Sequence, residues 1–224
     1  MAASDPMLSW ETRLWGRGVV RVAGVDEAGR GALAGPVVAA AVLMRPGQTF
    51  SPLVRDSKTL SPQQRERALE EIEAKAWAIG VGVVEVEIIE RMNIKQASRL
   101  AMLKAVEALN PPPEYLLVDA EELSTPIPQQ ALVKGDSLSQ AIAAASIVAK
   151  VTRDRMAREW DRFFPEYGFH RHKGYGTREH REALRRFGPC RLHRLSFLAK
   201  VLSDADREAA PTQETVGEDE ANIH

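Results

Sequence analysis

Four carboxylates stand where an apolar run meets a turn. They are Asp26 and Glu27 in Gly24-Val25-Asp26-Glu27-Ala28-Gly29-Arg30-Gly31, Asp119 after Leu116-Leu117-Val118, and Asp136 in Lys134-Gly135-Asp136-Ser137. If the fold brings them together, their mutual repulsion is severe unless cations intervene. Oxygen-only donors of this kind suit Mg²⁺ or Mn²⁺, hard ions that leave positions open for water and phosphate oxygens. Two such ions side by side activate a water and stabilise the departing oxygen of a phosphodiester. Each position also has a plainer reading. Asp136, ahead of an Ala-rich run, reads more readily as a helix N-cap. Asp119 serves equally as a turn residue and Asp26-Glu27 as a solvated pair. Only the four together point to metal chemistry.

Other motifs give weaker signals. Residues 29–34 formally match the dinucleotide pattern G-x-G-x-x-A, but Pro36 and the Val/Ala run after it read as a strand. That leaves no helix N-terminus to receive a pyrophosphate. Glycines flanking Arg30 let backbone N–H groups approach a phosphate or a ribose hydroxyl closely, and also suit an ordinary tight turn. His170, His172, His180, Cys190 and His193 fall within 24 residues. No second Cys and no regular ligand spacing accompanies them, so a basic surface is expected there rather than a zinc site.

The elements that must position these groups follow from composition and periodicity. With 224 residues, 44% hydrophobic and 27% charged, the chain is expected to form one main domain. No run approaches the roughly 18 apolar residues of a membrane helix. The first fifteen residues lack a secretory pattern, and the single Cys190 cannot form an internal disulfide. A cytoplasmic protein without a membrane partner is therefore expected, with monomer as the default.

Charge is uneven. Residues 203–224 carry seven acids and one base, whereas 1–202 carry 29 bases and 24 acids, or +5. Fourteen Lys/Arg against six acids fall in 150–200, a density that suits a polyanion or a solvated helix face. The acidic end is expected to be a disordered tail.

Strands are expected at 19–26, 36–44, 78–86, 115–119 and 131–133. Ser61-Pro62-Gln63-Gln64 signals a helix start with a capping box, with Leu69, Ile72 and Ala76 on its inner face. Met102, Ala105, Val106 and Leu109 mark a helix stopped by Asn110-Pro111-Pro112-Pro113. A long helix capped by Asp136 or Ser137 is expected to run to about Trp160, with an i,i+4 pair between Asp154 and Lys150 or Arg158. Alternating strands and helices predict an α/β domain with helices on both faces of a central sheet. Its site is expected beyond the strand ends.

Six blocks occur together and in order. They are residues 22–38, Asp56-Ser57-Lys58-Thr59-Leu60-Ser61, 116–119, 134–137, 143–154 and His172-Lys173-Gly174-Tyr175-Gly176-Thr177. In this combination the chain, over about residues 19–200, resembles bacterial ribonuclease HII. The resemblance implies a ribonuclease H-like fold: a mixed central sheet flanked by helices, with a C-terminal helical region. Residues 1–18 would be an N-terminal extension, 19–202 the catalytic domain and 203–224 the acidic tail. It also implies hydrolysis, with Mn²⁺ or Mg²⁺, of the RNA strand of RNA–DNA hybrids. Duplex DNA would be incised 5′ of an embedded ribonucleotide, giving 3′-hydroxyl and 5′-phosphate ends. Asp26, Glu27, Asp119 and Asp136 would be the catalytic metal ligands. Gly29, Arg30 and Gly31 would read the 2′-hydroxyl, Tyr175 would stack on the following sugar, and Lys58 would hold a phosphate. The rival from another class is a non-catalytic nucleic-acid-binding module using the basic 150–200 region.

Overall fold

The computed structural model describes residues 5–199 except positions 56 and 58. Its strands are β1 (Val22–Ala28), β2 (Val37–Met44), β3 (Ala78–Val84), β4 (Tyr115–Asp119) and β5 (Gln129–Leu132), in the order β3-β2-β1-β4-β5. β2 pairs antiparallel with β1 and β3, while β4 joins β1, and β5 joins β4, in parallel. The expected α/β layering is present. Helix α4 (Ile94–Glu107) covers one face, and α2 (Pro62–Lys75) and α5 (Gln140–Phe163) cover the other.

The period of two along a strand explains how one sheet serves both layers. Ala23, Val25, Ala39 and Ala41 pack with α4, and Ala40 and Val42 with α2 and α5. All of β2 is buried, as a strand covered on both faces requires. Missing side chains set how closely the helices approach. A Cβ on Gly24 would lie 2.0 Å from the Ala141 carbonyl carbon in α5, and one on Gly80 or Gly82 would lie 2.0 Å from an α4 carbonyl oxygen. Among the described residues no helix is long and apolar enough to cross a membrane.

Several sequence expectations are refined. β1 runs through Ala28, because its pairing with β2 continues to Ala28 opposite Val38. Asp26 and Glu27 thus lie inside the strand, not at its stop. Val86 opens a further helix, α3 (Val86–Met92), instead of ending β3. The Ser61 capping box forms as expected, with Ser61 N–H donating to Gln64 Oε1 at 2.8 Å. Helix α5 does not start at Asp136 or Ser137. Its N-cap is Ser139, whose Oγ accepts the Ile142 N–H at 3.1 Å. Gly135–Ser137 forms a separate 3₁₀ turn after Lys134, which adopts a left-handed φ of 57°.

The terminal regions pack on this frame. Helix α1 (Ser9–Trp15) buries Glu11 against the start of α5, where it accepts Ser139 Oγ–H at 2.6 Å and Ala141 N–H at 2.9 Å. A carboxylate there complements the helix dipole. Helices α6 (Phe169–His172) and α7 (Arg178–Phe187) supply the expected C-terminal helical region, gathered around Trp160, Tyr167 and Phe169. The acidic segment 203–224 lies outside the described residues.

Substituting Gly24→Ala drives a methyl into helix backbone that cannot yield, so it should destabilise by about 3 kcal/mol or more. A Cβ on Gly31 meets nothing within 4 Å, so Gly31→Ala should stay within about 0.5 kcal/mol of wild type. Urea unfolding of the two variants checks both.

Candidate active site

The pairing of parallel strands β1 and β4 ends with Val25 opposite Val118. Asp26 and Asp119 therefore occupy the next rung of adjacent strands. Asp26 is buried, and its Oδ1 accepts the Glu27 N–H at 2.7 Å. Burial, then the charges of Glu27 and Asp119, push its pKa well above the usual carboxylate range, while the Ser146 hydroxyl pulls the other way. Burial raises Glu27 as well, opposed by Arg30 and reinforced by Asp119. The Arg30 guanidinium lies 3.4 Å from Glu27 and 3.0 Å from Glu121. Asp119 Oδ1 accepts the Gly135 N–H at 2.7 Å, which ties the turn carrying buried Asp136 to the end of β4.

A cleft of about 410 Å³ brings together Asp26, Glu27, Gly29, Arg30, Gly31, Asp119 and Tyr175. Asp136 is not among the residues that line it, and Lys58 lies outside the described residues. Sequence reasoning did not assign Ser57, Arg65, Ser146 or Lys150 to the site, and these four also line it. The signal for two of them was the i,i+4 spacing of Ser146 and Lys150, which puts both on one face of α5. Arg65 donates to the carbonyls of Ser57 and Leu60 at 3.1 and 2.6 Å, holding the loop before α2. Asp154 pairs with Lys150 at 2.7 Å, as its spacing suggested.

Three acidic side chains thus repel one another at a partly desolvated cleft. An oxygen-only donor set under that strain fits a hard divalent cation. Among the described residues no three acidic, His or Cys side chains form a ready-made cage. The fit therefore lies in the charge and donor chemistry of the site.

The ribonuclease HII sequence profile matches residues 23–200. The chain belongs to the ribonuclease HII family. It is 55% identical over 193 residues to the ribonuclease HII of Geobacillus kaustophilus (strain HTA426), covering 86% of this chain and 74% of that one. The ribonuclease HII of Alkaliphilus metalliredigens (strain QYMF) is 52% identical over 201 residues, covering 87% and 98%. Among solved structures, the ribonuclease H2 of Pyrococcus horikoshii OT3 matches with a TM-score of 0.68 at 25% identity, over 84% of this chain and 99% of that one. The mixed sheet with its flanking helices is accordingly the ribonuclease H-like fold. Relatives in the ribonuclease HII family are metal-dependent endoribonucleases.

The ribonuclease HII fold corrects two expectations about the 150–200 region. Arg153 and Arg194, counted with its basic surface, are fully buried. Arg153 donates to the carbonyls of Pro36, Ala34 and Lys173 at 3.0, 2.8 and 2.8 Å. Arg194 donates to Gly35 at 2.9 and 2.7 Å and to Arg30 at 3.1 Å. Backbone oxygens thus engage every nitrogen of both forks and tie down the loop that carries Gly29 to Gly31. Burial lowers both guanidinium pKa values, Arg194 to about 9.

The histidines likewise leave the surface. His172, His180 and His193 are buried around Phe169, and only His170 remains exposed, paired with Asp161. The aromatic cluster offers each ring apolar contact, and backbone groups or a second ring take its nitrogens.

Two outcomes follow for stability. Asp26→Asn removes a buried like charge, so in EDTA at pH 7 it should unfold at higher urea, by roughly 1 kcal/mol, while weakening Mn²⁺ binding measured by calorimetry. Burial pushes His180 and His193 down to about 4, so both stay neutral when folded but protonate near 6.5 when unfolded. Their contribution is complete above pH 6.5 and is lost as pH falls from there toward 4, at about 1.4 kcal/mol per unit for each ring. NMR titration should show neither ring protonating above pH 5.

Proposed function

We propose that this chain hydrolyses the RNA strand of RNA–DNA hybrids and incises duplex DNA on the 5′ side of an embedded ribonucleotide. The observation that carries this reading is the juxtaposition of crowded carboxylates from β1 and β4 with a glycine turn open to the cleft. Asp26, Glu27, Asp119 and Asp136 would hold Mg²⁺ or Mn²⁺. When bound, the cation supplies Lewis acidity that favours deprotonation of the attacking water and stabilises charge on the leaving 3′-oxygen. The products then carry 3′-hydroxyl and 5′-phosphate ends.

The protein's own groups account for selectivity. A Cβ on Gly31 would meet nothing, which leaves room for a sugar to approach its backbone. The 2′-hydroxyl is both donor and acceptor and is what distinguishes RNA from DNA at one nucleotide. Backbone groups of Gly29, Arg30 and Gly31 read it without reading a base, so discrimination is by sugar and not by sequence. Tyr175 packs on the sugar that follows, with the cations of Lys150 and Arg153 each 5.3 Å from its ring. Lys58 steadies a backbone phosphate. The protein would act as a cytoplasmic monomer.

The test is cleavage of a DNA duplex carrying one ribonucleotide, beside an all-DNA control, with Mg²⁺, Mn²⁺ or EDTA. Incision should require metal and the ribonucleotide, and Asp119→Asn should lower the rate by about 10²–10³-fold or more. Equal cutting of the all-DNA control would overturn the selectivity. Salt-sensitive binding without any incision would favour the binding-module reading.

A further inference from the structure

Around Tyr175, three buried histidines form one cluster, His180 hydrogen-bonded to His193 and stacked on His172, in which the direction of each hydrogen bond is fixed. His172 Nε2 lies 2.9 Å from the Tyr167 carbonyl, and His180 Nδ1 lies 2.9 Å from the Tyr175 carbonyl. A carbonyl only accepts, so both of these nitrogens carry hydrogen. The opposite nitrogen of His172 is then an acceptor and receives the Gly174 N–H at 3.2 Å. His180 Nε2 is likewise an acceptor, and it sits 3.0 Å from His193 Nε2, which must therefore donate. His193 Nδ1 is left as an acceptor for the Cys190 N–H at 2.9 Å. Its 3.3 Å approach to the Cys190 carbonyl then joins two acceptors and is no bond. All three rings are neutral, and one arrangement of hydrogens satisfies every nitrogen.

The cluster grips Tyr175 from both sides. His172 holds the amide of the residue before it and His180 holds its own carbonyl, and the two rings stack at 4.2 Å and 12°. Gly174 also accepts the Leu33 and Ala34 N–H groups at 2.8 and 3.2 Å. The tyrosine loop is thereby fixed to the segment that continues from the glycine turn. We propose that His172, His180 and His193 are positioning residues that orient the Tyr175 ring for the substrate sugar through this directional relay. The proposal rests on the reading of Tyr175 as a substrate contact. Protonating His180 or His193 would set one N–H against another, in keeping with the low pKa of both rings.

The test measures kcat/KM on the single-ribonucleotide duplex. His180→Gln places its amide near the former Nε2 and abandons the Tyr175 carbonyl, so it should lose about tenfold or more through misorientation. His180→Asn places an N–H where Nδ1–H stood and should recover most of that loss. In a Tyr175→Ala background, His180→Gln should cost less than about twofold, since a relay acting through the ring has nothing left to orient.

Full additivity of the two losses overturns the relay while leaving Tyr175 as a substrate contact. Near-normal activity of Tyr175→Ala overturns both. ¹⁵N NMR of the wild-type rings does not depend on any variant folding. Hydrogen on Nδ1 of His180 and on Nε2 of His172 and His193 supports the relay, and hydrogen on Nε2 of His180 overturns it.

Discussion

The backbone of α5 rests directly on the backbone of β1 at Gly24, where any side chain would collide with Ala141. This approach sets the depth at which the rest of the helix crosses the sheet. Ser146 and Lys150 reach the cleft one and two turns further along α5, and Arg153 reaches under the glycine turn. Glu11 and Ser139 satisfy donors at the start of the helix, so the contact is anchored where it is tightest. Larger residues at Gly24 or along the Ala-rich half of α5 would lift the helix and widen the cleft. The Ala-rich helix and the glycine strand are therefore one device.

That frame holds an arrangement which is unfavourable on its own terms. Asp26 is buried beside two other carboxylates, and its ionised form is disfavoured first by desolvation and then by their charge. A site meant only for stability would place an apolar residue there. Among the described residues, only Arg30 of the surrounding cations touches a site carboxylate, and it is divided. Arg153 and Arg194 satisfy loop carbonyls, Lys150 pairs with Asp154, and Arg30 is shared between Glu27 and Glu121. The cleft thus retains a negative centre inside a basic wall, which suits a divalent cation together with a phosphate backbone.

Much of this was legible from local patterns. Strand β4 and the Ser61 capping box depend on short-range chemistry and appear where the sequence places them. The boundary errors have tertiary causes. β1 extends through Asp26 and Glu27 because β2 continues to pair with it, and no local pattern reports how far a partner strand runs. Asp136 resembles an N-cap because the true cap, Ser139, stands three residues later behind an intervening 3₁₀ turn. The candidate carboxylates were recognisable by residue type and by family resemblance, but the rung shared by Asp26 and Asp119 exists only in the assembled sheet. Arg153, Arg194 and the three histidines were misread as surface because burial of a polar side chain depends on distant carbonyls and amides. Composition cannot show those partners.

The central claim is that carboxylates from neighbouring strands share a divalent cation in the cleft. Anomalous diffraction at the manganese edge, from crystals of the full chain soaked in Mn²⁺, tests it most directly. The account predicts a peak between the carboxylates of Asp26 and Asp119, with Glu27 and Asp136 as its further oxygen donors. A peak only at the histidines of the C-terminal region, or none at saturating Mn²⁺, would contradict it.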